Sequence, residues 1–157
     1  PSSDYITLYI LTGFARLNHL AKVEYPDFFA DETAALDREV AEDIKERLRL
    51  ERVKKYPFRV NGFDIRWLYL HSFSGVPPAK NANDVRLIVD HLEKEWVEAG
   101  LESQALAAMG LKWCGKEKVA KEIARLEKQM KEAAKMMEYE YAAVLRDHTS
   151  ASAALRI

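Results

Sequence analysis

The sequence predicts a mainly α-helical protein. A helical N-terminal region carries a small β-hairpin, and a C-terminal antiparallel two-helix hairpin follows. Three observations lead there. Leu36, Val40, Ile44 and Leu48 recur every four residues and make one helical ridge. Val119, Ile123, Leu126, Met130, Ala133 and Met137 alternate spacings of four and three, the narrow seam of a helix that packs on another helix. Between them, Asn61-Gly62 separates two short runs rich in aromatic and β-branched residues.

The elements follow in order. Residues 2–23 open with the capping types Ser2, Ser3 and Asp4, and Ile6, Tyr9, Ile10, Phe14, Leu17 and Leu20 have helical spacing. A short strand over Tyr5–Leu11 is the rival reading. Pro26 pushes Tyr25 out of the helical region and ends this element. Residues 31–55 predict a helix that Asp31 can cap. Its acidic residues crowd the first half and its basic residues the second, which matches the helix dipole at both ends. In residues 58–69, Phe63, Ile65, Trp67 and Tyr69 alternate with Asp64 and Arg66, so a hairpin turning at Asn61-Gly62 is the first reading. A helix from Phe63 to Phe73 with Asn61 near its cap is the alternative.

Gly75, Pro77 and Pro78 make 72–83 the clearest linker. Val85, Ile88, Val89, Leu92 and Trp96 then form a helical stripe, with Asn83 or Asp84 as cap and Gly100 as stop. A short helix ends at Gly110, and a turn through Cys114 leads to the seam that starts at Lys116. The division expected is a helical domain over 1–110 and a helical hairpin over 116–157.

Bulk properties narrow the function. The 157 residues suit one domain or a domain with a helical appendage. A net charge of −1 supplies no global field toward nucleic acid or anionic membrane. The longest apolar run, Tyr5–Leu11 broken only by Thr7, is too short to cross a bilayer. The chain opens at Pro1 without Met, which fits Met removal, a cleaved targeting segment and a fragment alike; bacterial cytosol and organelle interior both suit it.

Chemistry is hard to find. His19, His71, His91 and His148 have no second ligand at metal-binding spacing. Cys114 sits between Lys112 and Lys116, which could favour a thiolate, but no base or second cysteine accompanies it. Gly115-Lys116-Glu117 lacks the hydroxyl residue of a phosphate loop. The expectation is therefore no catalytic residue, no metal and no cofactor. The basic run at 45–55 could meet nucleic-acid phosphates, although a solvated helix end matched to the dipole explains it better. Trp67, Tyr69 and Phe73 read as core aromatics before they read as a base-stacking platform.

The segment from Leu126 to Asp147 resembles the UVR motif, the short helical hairpin of the excision-repair proteins UvrB and UvrC. Similar hairpins occur in some Clp-type chaperone ATPases, their adaptors and some chloroplast proteins. The resemblance runs through Leu126, Met130, Ala133, Ala134, Glu138, Tyr139, Glu140, Ala142, Ala143, Leu145, Arg146 and Asp147. It implies a sharp corner near Glu138–Tyr139, with alanine pairs on either side that let two helices approach closely. It also implies protein partners, bound through Leu126, Met130, Ala133, Ala134, Tyr139, Ala142, Leu145 and Arg146. The function expected is a non-catalytic adaptor or accessory subunit of a larger assembly. The alternatives are a DNA-repair or chaperone/protease accessory factor and a nucleic-acid-contacting subunit of an organellar complex.

Overall fold

The computed structural model describes residues 3–74 and 79–154. Among the described residues six α-helices form in chain order: α1 Ser3–Ala21, α2 Phe29–Lys54, α3 Gly62–Ser74, α4 Ala82–Glu95, α5 Leu101–Trp113 and α6 Glu117–Ala154. Two short 3₁₀ turns, Ala79–Asn81 and Trp96–Glu98, flank α4. The mainly α class is as expected, and α1 is helical throughout. No strand occurs among the described residues.

The hairpin expected at 58–69 is replaced by α3, the alternative reading. Two facts explain the difference. Asn61 Oδ1 accepts the Asp64 N–H at 2.9 Å while Asp64 Oδ2 accepts the Asn61 N–H at 2.9 Å, a reciprocal cap that starts a helix rather than a turn. Second, α3 is buried on nearly every side: Ile65, Trp67, Leu68, Tyr69, Leu70 and His71 are all in the interior. A helix surrounded by others needs apolar residues all round, and a short apolar run of that kind mimics a strand.

The other boundaries shift for similar local reasons. Helix α2 begins at Phe29, with no side-chain cap from Asp31, and α4 begins at Ala82, ahead of Asn83 and Asp84. Gly100 precedes α5 in an extended conformation instead of stopping α4, which already ends at Glu95. Gly110 does not end α5, which continues to Trp113. Of the linker at 72–83, Gly75, Pro77 and Pro78 lie outside the described residues.

Helix α3 is the hub. Leu8, Leu11 and Ala15 of α1 join its core on one side, and Ala107 and Leu111 of α5 on another. Leu36, Val40 and Ile44 supply the ridge of α2, and Ile88, Val89 and Leu92 that of α4. Ala120 and Ile123 bring the first turns of α6 into the same cluster.

Polar fastenings tie α2 to α3. Asp37 Oδ1 accepts Trp67 Nε1–H and His71 Nε2–H, each at 2.8 Å, so Nε2 carries the proton. The Asp37 carbonyl accepts Asn81 Nδ2–H at 2.9 Å, which draws in the start of α4. Further along, Arg47 grips both oxygens of buried Asp64, at 2.7 and 2.9 Å. Burial alone would lower the Arg47 pKa; the Asp64 and Asp43 carboxylates together more than offset it and hold the guanidinium above its usual value.

Two substitutions test this packing by urea unfolding. A Cβ on Gly110 would lie 2.8 Å from Cδ2 and 2.9 Å from Cγ of buried Leu68, so Gly110→Ala is expected to lose about 1–3 kcal/mol despite its better helix propensity. Asp64→Ala takes from a largely buried Arg47 the carboxylate that binds it through both oxygens, leaving it Asp43, and removes a helix cap. An expected loss of about 3 kcal/mol follows. Neutral results would remove α3 from the centre of the fold.

Candidate partner-binding helix

The C-terminal helix owes its direction to one turn. Helix α5 closes with a Schellman motif: Lys116 N–H donates to Leu111 O at 2.8 Å and Gly115 N–H to Lys112 O at 3.1 Å. Gly115 has φ +81°, the left-handed region that favours glycine. Lys116 Nζ reaches Glu93 Oε2 at 2.9 Å and fastens the turn to α4. Helices α5 and α6 then run antiparallel, with Ala108, Lys112, Ala120 and Ala124 lining one shallow groove.

A C-terminal helix pair is therefore present, and its corner lies at Cys114–Lys116. The corner expected at Glu138–Tyr139 is absent: α6 is one continuous helix from Glu117 to Ala154. The physical reason is the composition. No glycine, proline or asparagine occurs after Gly115, and residues 117–143 are rich in Ala, Glu, Lys, Met and Arg, the strong helix formers. Ion pairs one turn apart reinforce this, Lys131–Glu127 at 2.7 Å and Lys128–Glu132 at 3.8 Å among them.

The seam changes character along this helix. Ile123 is buried and Leu126 packs at the edge of the core. From Lys128 to Glu140 every residue is exposed. Met130, Ala133, Met137 and Val144 continue the line of Ile123 and Leu126, so the face that packs inside the protein at one end lies open at the other. Met137 is 70% exposed.

The eight residues expected to bind partners do not form one patch. Leu126, Met130 and Ala133 share the seam, and Ala134 flanks it. Tyr139 is nine positions, or two and a half turns, beyond Met130 and so falls on the opposite face beside Met136. Arg146 is exposed. The side chains of Ala142 and Leu145 lie outside the described residues. The two alanine pairs are separated by about 13 Å along one helix axis and do not oppose each other. Exposed Met136 and Val144 were not singled out by the sequence pattern, because exposure depends on where α6 leaves the core.

Other candidate chemistry is accounted for by packing. Trp67 and Tyr69 are buried in α3, so they offer no stacking platform. In the basic run, Arg47 is held by Asp64 and Asp43, and Arg49 by Glu46. Among the described residues no group of three or more His, Cys, Asp or Glu side chains could hold a metal ion. No helix there is long and apolar enough to cross a membrane.

The family model of the UvrB/uvrC motif matches residues 120–148, which enclose the segment that resembles it. No curated protein and no solved structure matches the chain.

Burial pushes the Cys114 thiol above its ordinary pKa, and Lys116 offsets this only in part. Because the thiolate is the nucleophile, iodoacetamide is expected to alkylate Cys114 more slowly than a free cysteine at neutral pH, with the rate still rising above the normal thiol range. Fast labelling at neutral pH would point instead to a reactive thiol.

Proposed function

We propose that the chain is a non-catalytic adaptor or accessory subunit that joins a larger assembly by packing the open seam of α6 against a helix of a protein partner. The observation that carries this reading is the passage of one apolar line from buried Ile123 to exposed Met130, Ala133 and Met137 without a change of residue type. A seam of that spacing fits a second helix, and among the described residues none lies along its outer part. The acidic and basic residues on its flanks alternate, which suits a partner helix with complementary charges and gives little attraction to a phosphate backbone.

The match to the UvrB/uvrC motif supports a second, narrower reading, in which the assembly serves DNA repair or a chaperone/protease system. A motif of this length carries a mode of contact and leaves the chemistry of the assembly to other chains.

The full-length protein and its Met130→Glu/Met137→Glu variant distinguish these readings in affinity purification from the native source. Both replaced side chains are exposed, so helix content is expected to be unchanged and the free energy of unfolding to stay within about 0.5 kcal/mol of wild type. Partner recovery is expected to fall at least about tenfold. Undiminished recovery would contradict the seam as the binding element, and salt-sensitive retention of DNA would favour a nucleic-acid role.

A further inference from the structure

Helix α1 is apolar on two faces and buries only one. Leu8, Leu11 and Ala15 enter the core. On the other side Ile6, Tyr9, Ile10, Leu17 and Leu20 are between 46% and 74% exposed. A helix apolar all round is ordinarily covered all round. The centre of this open face is Gly13, and glycine is the poorest helix former after proline. Among the described residues nothing in the packing calls for it, since a Cβ there would meet no atom within 4 Å. A glycine in mid-helix whose missing side chain faces open space suits the close approach of another backbone.

The face is also symmetric about that glycine. Ile6 and Leu20 lie seven residues to either side, Tyr9 and Leu17 four, Ile10 and Arg16 three. Residues seven apart share a flank, so Ile10 and Leu17 line one edge and Tyr9 and Arg16 the other. We propose that α1 pairs antiparallel with α1 of a second copy of this chain, across a twofold axis at Gly13. The operation places Ile6 against Leu20 of the other copy and Ile10 against Leu17. It places Arg16, the one charge on the face, against the ring of Tyr9, where a cation is attracted to the π face. Every residue thus meets a chemically suitable counterpart, as an isologous interface requires.

The pairing would cover Ile6, Tyr9, Ile10, Leu17 and Leu20, five large apolar side chains that are each about half exposed or more. The single charge suits a second copy better than a partner chosen by charge.

Sedimentation equilibrium of the full chain at micromolar concentration is expected to show a dimer. Leu17→Glu and Leu20→Glu, both at exposed positions, are expected to weaken it at least about tenfold with the circular dichroism spectrum unchanged. Orientation is read by oxidation in a Cys114→Ser background. Gly13→Cys should cross-link to its own copy. Ile6→Cys should not, but should link to Leu20→Cys when the two are mixed. A monomeric wild type, a dimer indifferent to both glutamates, or self-linking of Ile6→Cys would each overturn the proposal. So would a monomer that floats with phosphatidylglycerol-containing vesicles, which would assign the face to lipid.

Discussion

The fold turns on the burial of α3 and on the Asp37 carboxylate that orients it. One oxygen of that carboxylate accepts both the indole N–H of Trp67 and the imidazole N–H of His71, one turn apart on α3. Two donors converging on one acceptor fix the rotation of α3 about its axis as well as its distance from α2. Rotation matters because α3 is apolar nearly all round, and hydrophobic burial alone would hold it equally well at several angles. The polar contacts convert a greasy rod into a registered one. Trp113 of α5 then stacks near His71, with ring centroids 6.4 Å apart, so the register set by Asp37 reaches the helix that launches α6.

From there the geometry of the C-terminal arm is a matter of one turn. Gly115 in the left-handed region reverses the chain, Lys116 pins the reversal to Glu93, and Ala120 and Ile123 commit the first turns of α6 to the core. Beyond Leu126 the core ends but the helix does not. Its persistence comes from residue type and from ion pairs along its surface, each worth about 0.2–0.5 kcal/mol in a helix. Such a helix can stand in water with an apolar line unpaired, which is the property the proposed binding role needs.

Much of this was legible in the sequence, for identifiable reasons. The ridge from Leu36 to Leu48 and the seam from Val119 to Met137 are single-faced, and one-sided burial writes a clean period. Helix α3 was ambiguous because a fully enclosed helix writes none, although the Asn61–Asp64 cap was visible as a signal. The Asp37–Trp67–His71 contact could not be read, since its members are about thirty residues apart and follow no motif. Family likeness implies a corner near Tyr139, whereas the local composition contains nothing to stop a helix. Where the two disagreed, composition decided the structure. The candidate residues were found individually, but their sharing of a face depended on that same point.

Everything proposed for α6 rests on its being one extended helix whose seam is open. The direct measurement is the distance between spin labels at positions 122 and 150, in full-length protein with Cys114 replaced by serine, read by pulsed dipolar spectroscopy. A continuous helix predicts about 42 Å between the two backbone positions. A hairpin turning at Glu138–Tyr139 would fold the second label back beside the first, at roughly 12 Å, and would contradict the account by covering the seam within the chain itself.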